Sequence, residues 1–111
     1  MVDIEEIKRE ILDRLLPLEP ERVILFGSYA RGNPGEDSDI DLYVVTKHDS
    51  IPANYAEKRE LVRQISRAIF DLRMRVPIDL VVHTRKMSEQ FFQKGSSFAR
   101  EIQESGIVWY G

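Results

Sequence analysis

Two aspartates one residue apart are the residues of this chain whose types and spacing most directly indicate chemistry. Asp39 and Asp41 lie at the start of a predicted strand that runs from Asp39 to Val45. Because side chains alternate between the two faces of a strand, both carboxylates should point the same way, opposite to Ile40 and Leu42. Two like charges held side by side repel each other, so we expect a cation between them, and a hard divalent metal with oxygen ligands fits that position.

A third aspartate has the same phase on another predicted strand. Asp79 alternates with the aliphatic residues of a run from Ile78 to His83. If the two strands are neighbours and send their aliphatic side chains into one core, Asp79 joins Asp39 and Asp41 on the other face. The alternative is a solvated polar face, but Asp is disfavoured in strands and occurs here three times in phase. The three carboxylates therefore predict a site for Mg²⁺, with two ions expected.

A Gly-Ser turn before the Asp pair has the features of a phosphate site. Gly27 follows a predicted strand from Arg22 to Phe26 and permits a positive φ. Ser28 is interpreted as the N-cap of one short helical turn that ends at Gly32. Backbone N–H groups and a hydroxyl at a helix N-terminus bind phosphate oxygens, so Gly27 and Ser28 are predicted to bind a phosphate group.

Three further side chains near these motifs have two interpretations each. Arg31 can contact phosphates or form an ion pair with Glu36 or Asp37. Tyr43 and His83, which share the phase of the aspartates, can line the pocket or serve only in packing. The sequence leaves these alternatives open.

Taken in order, the motifs resemble the signature of the DNA polymerase β-like nucleotidyltransferase superfamily. The matching segments are Gly27-Ser28-x-Ala30-Arg31-Gly32, Ser38-Asp39-Ile40-Asp41-Leu42 and Ile78-Asp79-Leu80. The chain is most similar to the shortest branch, the minimal nucleotidyltransferases that are antitoxin-type partners of HEPN-domain proteins. The resemblance implies nucleotide binding by Gly27, Ser28 and Arg31, and catalysis and metal binding by Asp39, Asp41 and Asp79.

The resemblance also implies a reaction. AMP from ATP would be transferred to an acceptor hydroxyl, with Mg²⁺ as the cofactor and Asp79 either as a metal ligand or as the general base. A tyrosine of a HEPN toxin is the expected acceptor, which would make this chain the antitoxin. A HEPN-type partner or a second copy of the chain is expected to complete the site. The alternative is a non-catalytic antitoxin that neutralises its partner by contact alone.

Other kinds of ligand site fail on specific residues. Asp37, Asp39 and Asp41 have the 1-3-5 spacing of an EF-hand loop, but Leu42 occupies the sixth position and His48 the twelfth. No Gly-rich loop ends in Gly-Lys-Ser/Thr, which excludes a P-loop. With no Cys and two widely separated His residues, a zinc site is unsupported.

The elements that position these residues follow from periodicity and capping signals. An α/β fold is expected, with a small sheet flanked by helices, and the resemblance adds that the sheet is mixed and similar to a polymerase β palm. Asp3 and Asn54 are the predicted caps of the first and second long helices. The further predicted elements are helices over Ile4–Leu15, Tyr55–Met74, Glu89–Lys94 and Phe98–Glu104, and a final strand over Ile107–Tyr110.

Length and charge set the remaining expectations. A chain of 111 residues predicts one domain, residues 1–111, and the absence of a long apolar stretch or signal-peptide pattern predicts a cytoplasmic protein with no membrane partner. A formal net charge of −3 argues against a nucleic-acid partner. The main basic cluster, Lys58, Arg59, Arg63 and Arg67, is interpreted as a solvated helix face, with contact to RNA or to an acidic partner as the alternative.

Overall fold

The computed structural model describes residues 2–111 and contains one four-stranded sheet with helices on both faces. The strands are β1 (Arg22–Phe26), β2 (Ile40–Thr46), β3 (Ile78–Thr84) and β4 (Ile107–Tyr110). The helices are α1 (Ile4–Leu15), α2 (Ser28–Arg31), α3 (Tyr55–Ala68), α4 (Phe70–Arg73), α5 (Arg85–Lys94) and α6 (Ser97–Ser105), and a short 3₁₀ turn, Leu16–Leu18, follows α1. None of these helices has the length and apolar character that crossing a membrane requires.

The sheet is mixed, as predicted. Its strand order is β3-β2-β1-β4, with β1 antiparallel to both β2 and β4, and β2 parallel to β3. A parallel pair needs a long crossover connection, which α3 and α4 provide between β2 and β3. The crossover therefore brings the start of β3 beside the start of β2.

The two faces of the sheet pack against different helices. Ile40, Leu42 and Val44 of β2 lie in a core with α1 and α3, whereas Tyr43 and Val45 lie in a second cluster with α5 and α6. This alternation follows from the pleat of the strand. Asp41 has the phase of Tyr43 and is therefore on the α5–α6 face.

The long helix predicted over Tyr55–Met74 is broken. It ends at Ala68, Ile69 adopts φ −113° and ψ 19°, and α4 follows. A β-branched residue is a moderately weak helix former, which permits the break at Ile69. Ile69 and Leu72 are fully buried, as in a continuous helix, so the hydrophobic pattern contains no sign of the interruption.

Capping side chains define the helix starts. Asp3 accepts from the N–H groups of Glu5 and Glu6, and Asn54 accepts from that of Glu57 at 2.9 Å, as predicted. Helix α5 begins four residues before the predicted Glu89, because Thr84 caps it by accepting from the Met87 N–H at 3.1 Å. The sequence prediction of α5 did not include Thr84 as its N-cap.

Candidate active site

The parallel register of β2 and β3 brings two of the aspartates together. Asp41 pairs with Asp79 across the two strands, and Asp39 immediately precedes β2, whose first residue pairs with Ile78. The carboxyl groups of Asp39 and Asp79 are near enough to affect each other's pKa. The structure therefore places the three residues at the same end of the sheet.

The proximity of the carboxylates alters their protonation. The pKa of Asp39 is raised above its ordinary value. The largest cause is a hydrogen bond shared with Asp79, and the second is charge repulsion from the same residue. Burial raises the pKa of Asp41, and the charges of Asp79, Asp39 and Glu101 raise it further. Repulsion between the carboxylates disfavours several negative charges in the site at once, and a bound cation would reduce this repulsion.

The donor set suits a hard cation by chemistry, although its present geometry is not that of a formed metal centre. Among residues 2–111, no group of three or more His, Cys, Asp or Glu side chains converges closely enough to hold a metal ion as it stands. Three neighbouring carboxylates are the oxygen ligands that Mg²⁺ takes. The assignment of Asp39, Asp41 and Asp79 as metal ligands stays a prediction.

The glycine turn that follows β1 packs against the carboxylate of Asp41. Gly27 follows β1 with φ +76° and ψ −155°, a region that only glycine adopts readily. A Cβ atom built at Gly27 would overlap the carboxylate of Asp41. Both constraints explain why glycine occupies this position.

The position of Ser28 in the turn differs from the prediction. Gly27 is the N-cap of α2, and Ser28 is the first residue of the helix rather than its cap. The positive φ of Gly27 starts the helix without a side-chain cap, so the hydroxyl of Ser28 makes no capping hydrogen bond. Helix α2 ends at Gly32, as predicted.

Arg31 has a different ion-pair partner from those predicted. Its Nη1 atom lies 3.3 Å from Oε2 of Glu101 on α6, and not beside Glu36 or Asp37. The packing of α6 beside β1, where the rings of Phe98 and Phe26 lie 5.4 Å apart edge to face, brings Glu101 to α2. The same Glu101 raises the pKa of Asp41, while Arg31 lowers it.

Glu101 is the site residue that sequence reasoning missed. It is 70 residues from Arg31 in the chain and belongs to an ordinary amphipathic helix. Nothing in its local sequence distinguishes it from other exposed glutamates. Only the packing of α6 on the sheet reveals its position.

Tyr43 and His83 are packing residues. Tyr43 is fully buried. Its hydroxyl lies 2.8 Å from Nδ1 of His83, and the same hydroxyl donates a hydrogen bond to Ser88 Oγ at 3.1 Å. Burial raises the pKa of Tyr43 and lowers that of His83. Since the rings of Phe91 and Phe92 surround Tyr43, the packing alternative is the one that the structure supports.

Comparison with known proteins defines the class. The family described as nucleotidyltransferase domain matches residues 4–108. A Methanocaldococcus jannaschii protein, provisionally named a protein adenylyltransferase, is 30% identical over 99 residues, which span 89% of this chain and 94% of that protein. The chain belongs to the nucleotidyltransferase domain family, and it is therefore an enzyme of the nucleotidyltransferase class. The resemblance found in the sequence is confirmed at this level.

Solved structures share the fold. A chain from a crystal structure described as a toxin–antitoxin with AMP-PNP superposes with a TM-score of 0.56 and 20% identity, over 94% of this chain and 73% of that one. A chain from the complex of tri-AMPylated Shewanella oneidensis HEPN toxin with MNT antitoxin superposes with a TM-score of 0.51 and 18% identity, over 96% and 71%. At these identities the likeness concerns the fold, and it confirms the predicted α/β architecture.

Proposed function

We propose that this chain transfers AMP from ATP to an acceptor hydroxyl in an Mg²⁺-dependent reaction. The observation that carries the proposal is the position of Asp39, Asp41 and Asp79 at one end of the sheet, with the Gly27 turn against Asp41. Membership of the nucleotidyltransferase family supplies the reaction class. The AMP-PNP in a structural neighbour supports an adenine nucleotide as the substrate.

Each residue has a defined part in this proposal. Asp39 and Asp41 would hold Mg²⁺, and Asp79 would hold a second ion or accept the proton of the acceptor hydroxyl. Bound Mg²⁺ would supply charge stabilisation at the phosphates. The acceptor oxygen forms a bond to the α-phosphorus, the bond to the bridging oxygen breaks, and pyrophosphate leaves.

The Gly27 turn and Arg31 would bind the phosphates. No side chain caps the N–H groups at the start of α2, so these groups can donate hydrogen bonds to a phosphate. Ser28 adds a hydroxyl donor. Arg31 is half exposed and is paired with an equally exposed carboxylate of Glu101. An exposed pair of this kind is weak, so a triphosphate can displace Glu101 from the guanidinium.

We propose a tyrosine of a HEPN-type protein as the acceptor, which would make this chain an antitoxin in the cytoplasm, where ATP is available. The support is the neighbour in which a HEPN toxin carries AMP beside an MNT antitoxin. A partner would also complete a site that lies at the open end of a small sheet. A non-catalytic antitoxin would neutralise the same partner without modifying it.

Calorimetric titration with ATP, with and without Mg²⁺, tests the nucleotide site. Wild-type protein should bind ATP in the presence of Mg²⁺, and the Asp39→Asn/Asp41→Asn variant should not. The variant should melt no lower than the wild type, because the substitution relieves repulsion between carboxylates. Asp13→Asn, which removes an exposed carboxylate of α1, is the matched control and should bind normally.

Intact mass of the partner tests the transfer. After incubation of the complex with MgATP, the HEPN-type protein should gain AMP units with the wild-type enzyme and none with the double variant. An unmodified partner in a tight complex, together with normal MgATP binding, would identify the contact-only antitoxin. Binding of ATP that survives in the double variant would overturn the site assignment.

A further inference from the structure

The outward face of α3 carries exposed apolar side chains, although the opposite face of the same helix is packed into the core. Leu61 and Ile65 are buried, whereas Tyr55 is 72% exposed and Phe70, at the start of α4, is 61% exposed. With Val62, these two rings are the apolar residues that line a groove of about 500 Å³, here called the α3 groove. Large apolar side chains exposed together are typical of an interaction surface.

Four cations line the same groove. Lys58, Arg59, Arg63 and Arg67 line the α3 groove at helical spacing. Arg63 has Glu60 at 3.7 Å as its partner, in a pair that is more than half exposed on both sides. Across residues 2–111, no carboxylate oxygen lies within 4.0 Å of a side-chain nitrogen of Lys58, Arg59 or Arg67.

One of these cations contacts an aromatic ring, and the positive charge of the groove differs in sign from the net charge of the whole chain. The guanidinium of Arg59 lies 5.1 Å from the centre of the Tyr55 ring, which is a cation–π distance. The chain as a whole has a net charge of −3. A basic groove on an acidic protein selects for a partner of the opposite charge.

The α3 groove is separate from the candidate active site. Helix α3 packs on the sheet face that carries Leu42, whereas Asp41 has the opposite phase and faces α5 and α6. A ligand in the groove would leave the carboxylates and the Gly27 turn accessible.

We propose that the α3 groove docks an acidic amphipathic helix of a partner protein. Leucine-like side chains at helical spacing would cover Tyr55, Val62 and Phe70, and carboxylates on the flanks would pair with the four cations. Nucleic acid is the competing occupant, because the rings of Tyr55 and Phe70 could stack on bases. We favour a peptide because the groove also contains aliphatic Val62, and because Glu60 pairs with Arg63 in a way that a run of phosphates would oppose. The proposal does not depend on the transferase reaction.

Fluorescence anisotropy with defined probes tests this proposal. The main probe is a fluorescein-labelled peptide about four helical turns long, with Leu at positions i, i+3, i+4 and i+7 and Glu elsewhere. The comparison probes are a scrambled peptide of the same composition, the same peptide with Lys in place of Glu, and a short single-stranded RNA. In about 0.15 M salt, the acidic amphipathic peptide should bind at least about tenfold more tightly than each of the others.

Variants assign the binding to the groove. Arg59→Glu/Arg63→Glu and, separately, Phe70→Ser should each weaken binding of the acidic peptide by about tenfold or more. Arg9→Glu/Arg100→Glu reverses the charge of two exposed arginines on other helices. This control variant should bind the acidic peptide with an affinity within about twofold of the wild type. If the groove double variant does not fold by circular dichroism, Phe70→Ser decides, since that side chain is already exposed.

Four results would overturn the proposal. The scrambled peptide could bind as well as the amphipathic one, or the groove variants could bind as well as the wild type. RNA could bind more tightly than the peptide, which would make the groove a nucleic-acid face. Sedimentation could instead reveal a dimer that Arg59→Glu/Arg63→Glu dissociates, which would assign the groove to a second copy of this chain.

Discussion

At the scale of single residues, Gly27 combines a backbone constraint with a contact. Its φ of +76° and ψ of −155° cost a residue with a Cβ about 1–3 kcal/mol, and the added Cβ would also displace the carboxylate of Asp41. Gly27→Ala should therefore lose both stability and Mg²⁺-dependent ATP binding. Thermal unfolding and calorimetry measure the two effects.

Gly95 provides the matched control for this prediction. It has φ +64°, and a Cβ there would meet nothing within 4 Å. Gly95→Ala should lose about 1–2 kcal/mol from the left-handed backbone alone and keep its affinity for ATP. Normal ATP binding by Gly27→Ala would show that the turn does not contact the nucleotide.

Glu101 competes with phosphate for Arg31 in the proposed site. In the wild type, the Glu101 carboxylate pairs with Arg31 at 3.3 Å and would repel the phosphates of ATP. Glu101→Gln removes this negative charge. An exposed ion pair is worth about 0.2–1 kcal/mol, so ATP should bind about 1.5 to 5 times more tightly in the variant. Calorimetry in saturating Mg²⁺ gives the affinity. Glu104→Gln, on the same helix, should leave it unchanged, and weaker binding by Glu101→Gln would mean that Glu101 supports the site.

At the scale of elements, the layer between β3 and α5 contains a pH-sensitive group. Burial, aided by Lys58, lowers the pKa of His83, so the folded protein binds a proton less readily there than the unfolded chain, whose histidine has its ordinary pKa near 6.5. The contribution to stability is complete above that value and is lost as the pH falls below it.

The melting temperature should therefore fall between pH 7.5 and pH 5.5. His83→Gln should flatten this dependence, because the variant has no imidazole to protonate in either state. His48→Gln, in the loop after β2, should retain the full slope. An identical slope in wild type and His83→Gln would assign the pH dependence to other groups.

At the scale of the whole molecule, ligand binding and folding are linked. A ligand that binds only the folded state, at one hundred times its Kd, stabilises that state by about 2.7 kcal/mol. MgATP should therefore raise the melting temperature of the wild type by several degrees and leave that of Asp39→Asn/Asp41→Asn unchanged. Differential scanning fluorimetry measures both. Equal shifts in the two proteins would place the nucleotide away from these carboxylates.

The strands and the candidate carboxylates were predictable because their signals are local. Alternation put Asp39, Asp41 and Asp79 in one phase, and the strand bounds of β1 and β4 agree with the structure. The break at Ile69 was not predictable, because burial of Ile69 and Leu72 is the same in a continuous helix and a broken one. The early start of α5 was missed because a threonine at the end of a strand was not considered as a cap.

The sequence by itself determined which residues are candidates for the chemistry, since a glycine turn, a DxD pair and a strand aspartate are recognised from neighbours within a few positions. Only the tertiary structure decided which side chains surround them. The ion pair of Arg31 with Glu101 joins positions 70 residues apart, and the contact of Tyr43 with His83 joins positions 40 apart. The physical reason is that such contacts depend on how the strands pair and how the helices pack on the sheet, which local periodicity does not encode.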